Sequence, residues 1–452
     1  MEALPQTRRQ MGVWAATAVV TGEAISLGIF LTPAGMARSL GSPALLAAVW
    51  CGMALLTLAG ALCFTELAIR NPHDGGEYLY LRRGFGARVA FLYGWMVAIV
   101  MYPGVAAALS VGSVPYLQAL LPVSTAVAKV LPALILITLG ALNYFGAGFS
   151  SRVMTALNWL KIPVLAALVG WALLSGHATM ANVAPFAARR PGSDPLIDAI
   201  AGAAISAFFC FGGWWEAGKI AGEVRNPSRN LAVAFSGGVL IVTAIYLLLS
   251  FAFVAVVPMQ QIQSNTAFVA LFGQALFGSA GSRVLSMCVV LCVLGGLLVL
   301  SMAVPRVTYA LALGEMGGTK QGGPLSAFAR LHPRYGTPAN AVLLQTGMAL
   351  LVMMLGAFDR ILAYIIFCAV VFLALTVATL FRTITPVRRW WYPLAPVVFI
   401  GGSGVLAIML LMHNLGSALL GAGVVLCGLP VRWLLTRRSE TPSVVAADSV
   451  SS

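Results

Sequence analysis

Charge is scarce in this chain. Only 9% of its 452 residues are Asp, Glu, Lys or Arg, against about 25% in a soluble domain. With 60% hydrophobic residues and a mean hydropathy of +0.94, the deficit excludes a soluble fold and defines an integral membrane protein. No polar stretch is long enough for a separate soluble domain. Catalytic signatures are missing too. The four histidines, His73, His177, His332 and His413, fall in or beside loops. There is no H-E-x-x-H, G-x-S-x-G or P-loop pattern, so no enzyme is expected. The seven cysteines include no C-x-x-C pair. Cys288 and Cys292 share a helix face, which reads as small-residue packing. Neither a disulfide, a metal site nor a cofactor is expected.

What is abundant is apolar sequence in runs long enough to cross a bilayer, which takes about 20 residues. Twelve spans are expected, near 12–37, 43–69, 84–120, 130–147, 152–174, from 198 through Trp215, 231–257, 283–313, 339–356, 360–381, 393–412 and 416–435. The fold class is therefore all-α and multi-pass, a single transmembrane domain over 1–435. Span 3 is too long for one straight crossing, and Tyr102-Pro103-Gly104 is placed to kink it. Residues 265–277 read as an amphipathic surface segment. The Ser/Thr-rich tail, 436–452, is expected to be disordered and cytoplasmic.

Net charge is +14, but its distribution matters more than its sum. With the N-terminus placed in the cytoplasm, 20 basic residues fall on that side and 6 on the other, Lys161 being set apart as intramembrane. The bias follows the positive-inside rule and puts both termini in the cytoplasm of a cell membrane. The basic excess needs no nucleic-acid partner; the lipid bilayer accounts for it. The apolar run after the basic N-terminus is too long for a signal-peptide core, so an uncleaved first span is expected.

Span 1 carries Gly22-Glu23-Ala24-Ile25-Ser26-Leu27-Gly28-Ile29-Phe30-Leu31-Thr32-Pro33. Glycine weakens a helix interior, and a carboxylate inside a membrane is costly without a partner or water. Two readings fit: a broken helix whose loose amides and carbonyls hold a solute, or a continuous helix packed through small residues. Span 6 tips the balance. It carries Phe208-Phe209-Cys210-Phe211-Gly212-Gly213-Trp214-Trp215, a second glycine interruption five spans later and hence in inverted orientation. Matched interruptions in two halves point to a transporter site between inverted repeats. The repeats would occupy about 12–175 and 196–381, with helices 11 and 12 appended at 393–435.

At these residues the chain resembles the amino acid–polyamine–organocation superfamily, most closely its L-type amino acid transporter branch. Gly28-Ile29-Phe30-Leu31-Thr32-Pro33 is similar to G-I-F-x-x-P, and the segment from Pro72 to Tyr78 to P-x-x-G-G-E-Y. The segment from Phe209 to Trp214 resembles F-x-Y-G-G-W, and that from Glu223 to Asn230 E-x-x-N-P-x-R-N. His332 to Val342 is similar as well. The resemblance implies a LeuT-type five-plus-five inverted repeat with discontinuous helices 1 and 6, working by alternating access. It implies that a substrate carboxylate sits on amides around Leu27, Gly28 and Ile29, beside Ser26, at a positive half-helix end. The amino group would meet carbonyls at Ala24 and Phe209. Cys210 and Gly212 complete the implied site, and Phe209 is the implied gate, with plain core packing as the alternative for that ring.

The chain departs from the family in three places. Ser26-Leu27-Gly28 stands where G-S-G is usual, Glu23 is unexpected, and Leu297-Leu298 follows the paired glycines of helix 8 where asparagine is usual. Thr155, Asn158 and Lys161 lie three apart and share a helix face. The resemblance puts Lys161 where coupled relatives bind sodium, implying sodium-independent transport; a snorkelling or structurally paired lysine is the alternative. Glu23 could neutralise Lys161 or a cationic substrate, carry a proton, or simply reach water. Glu216 and Lys219, at i,i+3, suit a structural pair. Glu66, Glu223 and Arg306 suit inner-gate or loop contacts. The resulting expectation is an amino acid transporter favouring neutral substrates, working by exchange or with protons as partner. Cationic amino acids or polyamines come second, and a non-transporting amino acid sensor is the reading from another class. No pattern specifies an oligomeric state.

Overall fold

The computed structural model describes residues 9–121, 123–258, 261, 268–315, 325–355, 358–382, 391–413 and 415–437. The expectation of a disordered tail lies almost wholly outside them. Among the described residues the chain is helical, with one isolated bridge between Met11 and Val224. Nine described helices are long and apolar enough to cross a membrane; two shorter apolar ones, Ala339–Met354 and Ile366–Phe381, and the interrupted first span accompany them. These match the twelve expected spans in order.

Span 1 is two helices, α1 (Val13–Ala24) and α2 (Gly28–Leu40). Ile25 leaves the helix at φ −80°, ψ 77°, and the Ser26 amide turns back to the Ala24 carbonyl at 2.9 Å. α3 (Pro43–Arg70) starts where sequence rules put a start: Ser42 accepts from the Leu45 amide at 3.4 Å and Pro43 fills the first turn. The loop after α3 leads to α4 (Glu77–Phe85) and α5 (Ala87–Trp95). Span 3 is irregular where expected. A π-helical turn, Met96–Met101, precedes α6 (Tyr102–Gly112), because Pro103 has no N–H to continue the ladder. A second break at Ser113 separates α7 (Val114–Leu120), with Pro115 in its first turn.

α8 (Thr125–Tyr144) and α9 (Ala147–Leu174) follow, then the short α10 (Met180–Val183) and α11 (Leu196–Phe211). α11 stops at Gly212, and Gly213 has φ +95°, a conformation glycine adopts without strain. The second half of span 6 is only one helical turn, α12 (Glu216–Lys219). Next come α13 (Pro227–Val256), α14 (Phe268–Phe277) and α15 (Gly281–Glu315). α14 buries Phe272 against Phe253 with ring centres 4.6 Å apart. The remaining helices are α16 (Ala339–Leu355), α17 (Phe358–Ala378), α18 (Leu394–His413), α19 (Leu415–Leu426) and α20 (Gly428–Arg437). Span 12 is thus divided at Cys427 rather than continuous.

The core lies where α1 packs against α9, α13 and α15, and α11 against α2 and α3. The face of the bundle carrying residues 10–12 is sealed. The Gln10 and Met11 amides donate to the Glu223 carbonyl at 2.9 Å, and the Arg225 amide to Met11. The Arg306 guanidinium pairs with Glu223 at 2.7 Å, both buried, the gate-type contact expected of this pair. Glu66 instead pairs with Arg70 on its own helix. In the loop after α3, burial and then the charges of Arg83 and Arg9 hold His73 below the ordinary histidine range.

Candidate functional site

Both glycine-marked spans are broken, and their frayed ends meet. The first α2 amides, Gly28 and Ile29, and the Leu27 amide find no backbone acceptor among the described residues. They are orphan donors at a positive helix end. On the acceptor side, the Tyr246 hydroxyl touches both the Ala24 carbonyl and, at 2.7 Å, the Cys210 carbonyl. The Ala24 carbonyl also takes the Ser26 amide, and the Phe209 carbonyl takes the Gly212 amide at 3.1 Å. The two carbonyls expected to meet an amino group are therefore already engaged. α2 and α11 press together at Gly28, where a Cβ would fall 3.1 Å from the Cys210 sulfur, and Thr32 bonds that sulfur at 2.8 Å.

A cavity lies between these ends. Of the expected residues, Ala24, Ser26, Gly28, Phe209, Cys210, Gly212 and Glu23 line it; Met101, Val105, Leu109, Trp215, Ile366 and Ala369 were not foreseen. Leu27 and Ile29 turn their side chains into the core instead. Phe209 stands at the rim, 36% exposed, with its ring 3.5 Å from where a Gly28 Cβ would be. The wall is otherwise apolar, and Glu23 is its charged side chain.

Lys161 sits behind the break rather than in the cavity. It is fully buried, and its ammonium donates to the carbonyls of Gly22 (2.7 Å), Ile25 (2.8 Å) and Cys292 (3.4 Å). It thus ties α9 to the unwound end of α1 and to α15. Asn158, one turn away, reaches the Gly295 carbonyl at 3.4 Å, while Thr155 bonds only its own helix. Gly295 makes the approach possible: a Cβ there would fall 2.9 Å from the Lys161 ammonium. Among the described residues Lys161 forms no ion pair with Glu23, so a role for that carboxylate in neutralising Lys161 finds no support.

Glu23 points the other way. A Cβ on Gly213 would fall 2.6 Å from its carboxyl carbon, so the second glycine of span 6 exists to admit it. Beyond it lies a group the sequence did not assemble. Lys219 pairs with Glu216 and with Glu77 at 3.4 Å, all three essentially inaccessible. Tyr102 donates to Glu216, and Lys219 donates to the Tyr102 oxygen. Lys219 was counted among the loop charges of the N-terminal side; it is instead a second buried lysine, and the charge bias stands without it. The trace of this contact in the sequence is Gly75-Gly76. Gly76 has φ +50°, and a Cβ on it would meet Lys219 at 2.9 Å.

Two helices broken opposite each other around a cavity, in a helical membrane bundle, make the architecture of a secondary transporter. A family model described as Amino acid permease matches residues 11–426, and the chain belongs to that family. It is 27% identical to the Serine/threonine exchanger SteT of Bacillus subtilis, over 96% of this chain and 98% of that one. It is 26% identical to the Large neutral amino acids transporter small subunit 2 of Mus musculus, over 94% of this chain and 81% of that one. The Asc-type amino acid transporter 1 of Homo sapiens is also 26% identical, over 94% and 82%. The protein is a multi-pass membrane transporter of the amino acid permease family.

Proposed function

We propose that this protein moves neutral amino acids by alternating access and without sodium. The observation that carries the reading is Lys161: its ammonium lies on the carbonyls that end α1, and a fixed cation there leaves no place for a mobile one. The amides of Leu27, Gly28 and Ile29 receive the substrate carboxylate, next to Ser26. The amino group meets the opposite rim, formed by Ala24, Phe209, Cys210 and Gly212, by displacing one of the bonds now made to those carbonyls. Phe209 closes over the bound molecule. The apolar wall of Met101, Val105, Leu109 and Ile366 favours an uncharged side chain, and the relatives named for serine/threonine and for large neutral amino acids support that class. The repeats span 12–175 and 196–381, and the positive-inside bias places both termini in the cytoplasm of a cell membrane.

Purified protein in liposomes tests this. Labelled serine, threonine and leucine should enter vesicles preloaded with the same amino acid at equal rates with and without sodium. Sodium-stimulated entry would overturn the reading of Lys161. Because Glu23 is a carboxylate lining the cavity, a second reading is a cationic amino acid or polyamine as cargo. Competition by arginine or putrescine stronger than by leucine would establish it. Binding without any flux would make the protein a sensor.

A further inference from the structure

The second lysine site is unbalanced. Glu77 and Glu216 lie on one ammonium, that of Lys219, and Glu23, packed against Gly213 between the cavity and this turn, is the third carboxylate of the region. Fully ionised, the group would carry two uncompensated negative charges away from water, an arrangement buried sites avoid by binding protons. Hydrogen bonds relieve it only in part: Glu216 accepts from Tyr102 and Lys219, and Tyr93 reaches Glu77, while one Glu216 oxygen and one Glu23 oxygen have no hydrogen-bond partner. α9 spends Lys161 on the carbonyls of Gly22 and Ile25, and α13 turns its Tyr246 hydroxyl to those of Ala24 and Cys210. Tyr93 of α5 and Tyr102 of α6 face the carboxylates, and Tyr80 lies on the same helix as Glu77. α15 offers no cation here: Arg306 is spent on Glu223, and Tyr309 stands beside Asp74. α17 presents Phe372 to Tyr93, and Glu66 of α3 pairs with Arg70.

The group also has two ends. Glu23 opens on the cavity. Glu77 begins α4 directly after the 71–76 loop, which is docked on α12 through the Gly75 amide and the Lys219 carbonyl at 2.9 Å. Tyr102, with its hydroxyl on Glu216 and Lys219, stands between them.

We propose that Glu23, Glu216, Lys219 and Glu77 form a proton-carrying cluster that takes up one proton at the cavity and releases it toward the 71–76 loop with each amino acid moved. A carboxylate of the cluster gains the proton from the water of the filled cavity. The same proton leaves on the side of the 71–76 loop when the opposite face opens, so the group returns to its starting charge in each cycle. This rests on the transport reading above and deepens it by naming the coupling ion and its carriers.

The full-length protein is reconstituted in liposomes containing a pH-reporting dye, with the membrane voltage clamped and leucine or threonine added outside. Lumenal acidification on adding the amino acid is expected. So is an accumulation ratio rising about tenfold per unit of pH difference, as one proton per amino acid requires. Glu77→Gln should lose both while exchange of labelled against unlabelled amino acid remains measurable. Wild-type exchange with no lumenal pH change and no response to the pH difference overturns the proposal without any variant. Proton flux persisting in Glu77→Gln overturns it as well. Absence of labelled flux in every mode overturns the transport reading, and the proposal with it.

Discussion

The protein buries two lysines on opposite sides of the broken first helix, and their surroundings could hardly differ more. Lys161 is held by three backbone carbonyls, neutral dipoles that saturate its three hydrogens. Lys219 is held by carboxylates and a phenol, with more negative charge than it can match. One site is a finished tie that fixes the shape of a helix end. The other is an open account of charge beside the cavity. A buried ammonium is therefore not one kind of device: what surrounds it decides whether it is a strut or a participant.

The comparison can be broken most sharply by removing each cation. Lys219→Met strands two carboxylates, Glu77 and Glu216, and is expected to cost roughly 3–5 kcal/mol, the usual penalty for breaking a buried pair. Thermal unfolding in detergent measures it, and a larger loss in the Lys161 variant would reverse the contrast. Lys161→Met leaves behind only neutral carbonyls and should cost less, about 1–3 kcal/mol in all. Labelled exchange should fall about tenfold for every 1.4 kcal/mol by which the closed helix end is weakened, and added sodium should not restore it.

A finer test uses the glycines that admit each lysine. Gly295→Ala and Gly76→Ala each force a methyl into an occupied space, at about 1–3 kcal/mol, and the second also demands φ +50° of alanine. In a Lys161→Met background Gly295→Ala should cost less by about 0.5–3 kcal/mol, while Gly76→Ala should cost the same as before. The smallest effect lies outside the bilayer, in the loop docked on the Lys219 turn. His73 resists its proton in the folded protein, whereas the unfolded chain binds one near pH 6.5. Stability should therefore fall as the pH drops below that value, and His73→Asn should flatten the melting temperature there.

Much of this was legible in the sequence because membrane helices advertise their exceptions. Glycines at 22, 28, 212 and 213 interrupt otherwise apolar runs, and both runs are broken at those places. A lysine in the middle of span 5 had to find partners, and it did. Which partners it found was not legible: backbone carbonyls leave no mark in the sequence, so Glu23 stood as a candidate counter-ion among its several readings. The Glu77–Lys219 contact was hidden for another reason. Glu77 follows a polar, glycine-rich loop and reads as part of it, and the two residues lie far apart in the chain. Only the paired glycines hinted that a backbone passes close by. The single-turn length of α12 was equally unreadable, since the sequence after Trp215 remains compatible with a full helix.

Tyr246 deserves a last comment. A phenol owns one hydrogen, yet its oxygen rests on two carbonyls, one terminating each half-helix. At any instant one of the two lacks that hydrogen, and only the Ala24 carbonyl has a second donor, the Ser26 amide, to fall back on. An ammonium group, with three hydrogens to give, would serve both carbonyls at once.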